Sequence, residues 1–144
     1  MMPKKNKPIL LVEDNPDDVE LTQLAFRRAN IANPMKVARD GAEALDMLLG
    51  EDAEKFAVVL LDLKLPKVDG IEVLRRLRGE TRTRLTPVVI LTSSREERDM
   101  IASYELNANS YIQKPVDFEQ FVEAARQLGL YWLVLNQVPE TEYD

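Results

Sequence analysis

Four short stretches concentrate the side chains able to do chemistry: Glu13-Asp14, Asp62, Thr92-Ser93 and Lys114-Pro115. The 144-residue chain holds no Cys and no His. Disulfides, Cys-ligated zinc, thiol catalysis and an imidazole base are therefore excluded. What remains is carboxylates, hydroxyls and ammonium groups. Three carboxylates brought together repel and cannot all stay ionised unaided. A hard divalent cation resolves this, and oxygen ligands favour Mg²⁺ over softer metals. Lys114 adds a point charge for a further oxygen, and Thr92 adds a hydrogen-bond donor. The set suits phosphoryl transfer, in which positioning and charge neutralisation supply most of the catalysis. A carboxylate can itself be the nucleophile and form an aspartyl phosphate. Without His, the chemistry of the phosphoryl donor must lie in another molecule.

These residues need elements to position them. Residues 8–12, 57–61 and 87–91 are apolar throughout, as strands of a parallel sheet covered on both faces are. Residues 35–38 and 110–112 are shorter strand candidates. Between them lie helix patterns with caps. Asn15-Pro16-Asp17-Asp18 offers an N-cap, a first-position Pro and first-turn acids, and the buried stripe of Val19 and Phe26 then runs to about Ala29. Asp40-Gly41 opens a second helix through Ala44, Leu45 and Leu48. Asp69-Gly70 opens a third with Ile71, Leu74 and Leu77, Ser94 a fourth running to about Leu106, and Asp117 a fifth from Phe118. Five strands alternating with five helices imply an α/β three-layer sandwich with right-handed crossovers. In such a sheet the ligand crevice lies beyond the carboxyl ends of the strands, where all the chemically able residues fall. Asp62, at the end of the central apolar strand, is the expected nucleophile. Glu13 and Asp14 are adjacent, so at most one contacts the metal directly; Asp14 is assigned that contact and Glu13 acts through water.

These residues resemble the receiver domain of two-component response regulators. The matching stretches are residues 9–15 (ILLVEDN), 62–70 (DLKLPKVDG), 91–93 (LTS) and 111–115 (YIQKP), within a span of about 8–128. The resemblance implies a flavodoxin-like (CheY-like), doubly wound five-stranded parallel sheet of order 2-1-3-4-5. It implies that Asp62 accepts phosphate from a sensor histidine kinase, with Mg²⁺ held by Asp14, Asp62 and the backbone carbonyl of Lys64, and Glu13 completing the acidic pocket. Lys114 would contact the phosphoryl group, ahead of a cis bond to Pro115. Thr92 and Tyr111 would form the switch pair, although ordinary half-buried packing is an alternative for Tyr111. Residues 15–18, 37–45 and 130–133 resemble the small stand-alone regulators that partner phytochrome histidine kinases, which implies such a kinase as partner. Glu13 stands where many receivers have Asp, and Asn107 stands where Gly is common, at a position expected to need a left-handed backbone. Lys64 fills the variable position two past the acceptor and bears on phosphate lifetime.

Residues 1–7 form an expected frayed tail with Lys4, Lys5 and Lys7, residues 8–136 the receiver with an extended C-terminal helix, and residues 137–144 an acidic tail. Beyond Gly129, residues 130–135 are apolar all round, more than one domain's last element easily buries. A symmetric homodimer is expected, with Phe121, Leu130, Tyr131, Trp132 and Val134 as interface candidates; a tail folded back on its own domain is the alternative. A net charge of −6 argues against a nucleic-acid partner. No apolar run approaches the roughly 20 residues of a membrane span, so the chain reads as soluble and cytoplasmic. Phosphatases of the haloacid-dehalogenase type also form an aspartyl phosphate, but carry a second Asp where this chain has Lys64. The expected function is thus a non-enzymatic signalling receiver, limited to Mg²⁺-dependent self-phosphorylation and slow autodephosphorylation. The alternative is a pseudo-receiver that binds partners without phosphate.

Overall fold

The computed structural model describes residues 7–65, 67–92, 99, 106–113 and 117–129, with the side chains of Thr92 and Gln113 not included. Five expectations lie wholly or mostly outside these residues: the Ser94-capped helix, of which Asp99 is described and helical, the Lys114-Pro115 bond, the helix extension carrying Leu130, Tyr131, Trp132 and Val134, and the two terminal tails.

Five strands form one parallel sheet of order β2-β1-β3-β4-β5. They are β1 (Ile9–Val12), β2 (Met35–Ala38), β3 (Val58–Asp62), β4 (Val88–Thr92) and β5 (Ser110–Gln113). Four helices are described: α1 (Pro16–Arg28), α2 (Gly41–Leu49), α3 (Gly70–Gly79) and α4 (Phe118–Leu128). The strand order agrees with the doubly wound, flavodoxin-like expectation.

Continuous apolar strands have two faces to bury, and each face meets two of the described helices. Ile9, Leu11, Val58, Leu60, Val89 and Leu91 pack against α1 and α4. Leu10, Val12, Val59, Leu61, Val88 and Ile90 pack against α2 and α3. This alternation is the period-2 pleat of a strand. Phe26 of α1 meets Phe121 of α4 edge to face, with ring centroids 6.4 Å apart. Phe121 is only 3% exposed. It is therefore a core residue of the single chain, which corrects its place among the dimer-contact candidates: its surface is already used against α1.

Helix ends follow the sequence signals. Asn15, Asp40, Asp69 and Asp117 each accept backbone N–H groups of the helix they precede. At the far end of α1, Asn30 has φ 64°, its N–H donates to the Arg27 carbonyl, and the Ile31 N–H donates to the Phe26 carbonyl. That is a Schellman closure with Asn in the left-handed position. Among the described residues the other non-glycine residue with positive φ is Lys67, at 68°. Asn107 is not left-handed, which corrects the expectation for it. Its carbonyl accepts from Arg78 Nε at 2.8 Å.

Arg78 lies near the end of α3 and reaches two segments, residues 84–86 and 107–109. Beyond Asn107, one terminal nitrogen donates to the carbonyls of Arg84 (3.0 Å) and Thr86 (2.8 Å), and the other to Asn109 Oδ1 (3.3 Å). The same Asn109 oxygen accepts the N–H of Val88, the first residue of β4. A guanidinium supplies five fixed donors and stays charged, so it suits a site ringed by carbonyls.

Candidate functional site

Register brings the acidic groups together. Val12 pairs with Leu61 across β1 and β3, so Glu13 and Asp62 are the next residues on adjacent strands. Asp62 pairs in turn with Leu91, one residue before Thr92. Carboxylate oxygens of Glu13, Asp14 and Asp62 all lie within 4.8 Å of one another. Two oxygens on one Mg²⁺ are at most about 4.2 Å apart, given Mg–O distances near 2.1 Å. The triad is therefore close to ligand spacing, and the donor set fits a hard divalent cation.

The three differ in exposure. Glu13 is 1% exposed and Asp62 7%, whereas Asp14 faces solvent. Burying two carboxylates costs free energy unless hydrogen bonds or a cation compensate. Some of the hydrogen bonds are local. Glu13 Oε2 accepts the N–H of Asn15 at 3.3 Å. Asp62 Oδ1 accepts the N–H of Lys64 at 3.0 Å, which fixes the rotation of the carboxylate. The chain then turns back, with the Gly70 N–H donating to the Leu63 carbonyl at 3.0 Å. A Cβ on Gly70 would sit 2.6 Å from the Asp62 carbonyl oxygen, so the turn needs glycine there.

Thr92 ends β4 beside Gln113 of β5. Its backbone is at the carboxyl edge, as expected. Tyr111 is half-buried and packs against the α2–α3 side of the core. Lys64 is exposed at the acceptor loop. Lys114 lies outside the described residues, as do Leu130, Tyr131, Trp132 and Val134.

One contact at the site has no counterpart in the sequence reading. Asp40 was legible as the α2 cap, and its Oδ1 does accept the Glu43 N–H at 2.7 Å. Its other oxygen lies 3.4 Å from Lys67 Nζ, in the loop that follows Asp62. The Asp40 carboxyl is held below the usual carboxylate range, first by the Glu43 N–H, against a rise from desolvation, and then by Lys67.

Known proteins match this geometry. The response regulator receiver domain matches residues 9–126, and the chain belongs to that family. Response regulator Rcp1 of Synechocystis sp. strain PCC 6803 is 36% identical over 137 residues, spanning 92% of this chain and 93% of Rcp1. Its Mn²⁺-bound crystal structure superposes with a TM-score of 0.79, at 36% identity, over 93% of this chain and 99% of that one. The bacteriophytochrome response regulator AtBRR is 53% identical, with a TM-score of 0.74 over 91% of this chain and 98% of that one. The phosphorylated cyanobacterial phytochrome response regulator RcpA is 35% identical, with a TM-score of 0.80 over 93% of this chain and 99% of that one. The chain is thus a receiver-domain response regulator related to phytochrome response regulators.

Proposed function

We propose that this chain accepts a phosphoryl group on Asp62 from a sensor histidine kinase of the phytochrome class, and signals by protein–protein contact or phosphate relay. The observation that carries this reading is the cluster of Glu13, Asp14 and Asp62 at the carboxyl end of the central strands. The Mn²⁺-bound and phosphorylated relatives support it.

In this reading a carboxylate oxygen of Asp62 attacks the phosphorus of a phosphohistidine. The new O–P bond forms as the N–P bond breaks, and the imidazole leaves with its electron pair. Lys64 holds Asp62 in orientation through its N–H. Glu13, Asp14 and Asp62, with the backbone carbonyl of Lys64, would hold Mg²⁺, which supplies charge neutralisation for the transferring oxygens when bound. Lys114 and the Thr92 hydroxyl would contact the phosphoryl oxygens. Thr92 and Tyr111 would then carry the modification to the surface. Beyond self-phosphorylation and slow autodephosphorylation, no turnover of an external substrate is part of this function.

The test is direct. With Mg²⁺ and acetyl phosphate, or a phosphorylated kinase, the protein gains the mass of one phosphoryl group, and Asp62→Asn abolishes the gain. A wild-type protein unlabelled by both donors would sink the reading and favour the pseudo-receiver. The apolar residues Leu130, Tyr131, Trp132 and Val134 support a homodimer as the assembly that displays this signal. Trp132→Ala is expected to shift size-exclusion elution toward monomer; unchanged elution favours a tail folded on its own domain. No described helix is long and apolar enough to cross a membrane, and the reading includes action in the cytoplasm.

A further inference from the structure

Asp40 joins two parts of the molecule that the sequence keeps apart. One oxygen caps α2 through the Glu43 N–H, and the other faces Lys67 of the acceptor loop. Directly beside this pair, Gly41 meets the loop backbone. A Cβ on Gly41 would sit 1.8 Å from the Val68 carbonyl oxygen, so the two segments are in the closest approach that glycine permits. The loop is also held in an unusual shape, with Lys67 at φ 68°. A left-handed Lys costs free energy and persists only where surroundings fix it.

The other end of the connection reaches the acidic pocket. Asp40 follows β2, and the last β2 carbonyl, that of Ala38, accepts the N–H of Glu13 at 2.9 Å. Contacts therefore link Glu13 to Ala38, and Asp40, two residues further on, to Lys67 in the loop that follows Asp62.

We propose that Asp40 and Lys67 are positioning residues that set the spacing between the Glu13-Asp14 and Asp62-Lys64 halves of the pocket, and thereby its preference for Mg²⁺ over larger cations. The inference rests on the reading of that pocket as a divalent-cation site. Its chemical basis is the contrast between Mg²⁺, which demands near-ideal octahedral geometry, and Ca²⁺, which tolerates longer and irregular contacts. A pocket held at fixed spacing favours the former.

Calorimetric titration with Mg²⁺ and with Ca²⁺ tests the proposal, on wild-type protein, Asp40→Asn, Lys67→Met and the double variant. Asn keeps a capping oxygen for Glu43, and circular dichroism confirms that each variant is folded. Both single variants are expected to weaken Mg²⁺ binding about two- to fivefold, the range open to an exposed ion pair, with a smaller change for Ca²⁺. The double variant should be no weaker than the singles, and Lys67→Arg should restore binding. Charge alone predicts a different sign pattern: losing Asp40 would weaken every cation, and losing Lys67 would strengthen every cation. Opposite signs, equal changes for both cations, or unchanged affinities would each overturn the proposal. A wild-type protein that binds neither cation would overturn it together with the metal site. Because the readout is cation binding, failure of wild-type phosphorylation would overturn the preceding reading without touching this one.

Discussion

Asp40 shows what a single carboxylate can report. Its folded-state pKa is depressed, so its stabilising contribution is present above the unfolded value, about 3.9, and is lost as pH falls through the folded value. Protonated Asp40 resembles Asn in shape and charge. The melting-temperature difference between wild type and Asp40→Asn is therefore expected to be largest near neutral pH and to vanish in strong acid. Thermal melts across the acidic range check this; a difference that stays constant with pH would contradict it. At this scale the clustered carboxylates were legible, because Glu13-Asp14 and Asp62 each follow an apolar run. Lys67 was not legible. Its left-handed backbone falls in the loop closed at Gly70, and its partner Asp40 lies 27 residues away by number. The error at Asn107 has the same origin. Its carbonyl is bound by a guanidinium from α3, a contact that local residue preference does not reveal.

Elements were easier to read than their contacts. All four described helices begin one residue after the capping side chain that marks them in the sequence. Caps act over three residues, so their signal is local. The role of Gly41 was hidden for the opposite reason. It reads as a poor helix former at a helix start, yet its lack of a side chain is what lets α2 touch the acceptor loop. Gly41→Ala is expected to cost about 1–3 kcal/mol, because backbone atoms must move to admit the methyl group. Gly79, at the end of α3, has nothing within 4 Å of an added Cβ. Gly79→Ala is expected to be neutral or to stabilise by up to about 1 kcal/mol. Urea denaturation of the two variants, compared side by side, separates close approach from simple helix propensity.

At the scale of the whole molecule, the class of fold followed from continuous apolar strands alternating with amphipathic helices, but the order β2-β1-β3-β4-β5 did not. Strand order depends on which crossovers pass which face, and no single segment encodes it. It was reached through the resemblance of the acidic and loop motifs to receivers. Phe121 marks another limit of that reading. Its apolar stripe is compatible with both a core and an interface, and only the partner Phe26 decides between them.

Arg78 ties together segments that become neighbours only when most of the chain is in place, since Asn107 and Asn109 lie 29 and 31 residues beyond it. Bringing such distant segments together carries a loop-closure cost before the contact rewards it. The clamp is therefore expected to form after the folding transition state. Arg78→Ala should lower stability by about 2 kcal/mol, through lost charge-assisted hydrogen bonds. Most of that loss should appear as faster unfolding, with refolding nearly unchanged, in stopped-flow chevron measurements. Slowed refolding of matching size would instead place the guanidinium in the nucleus. On this account Arg78 acts as a latch on the finished domain, governing how long a native molecule lasts and having little part in how quickly one is made.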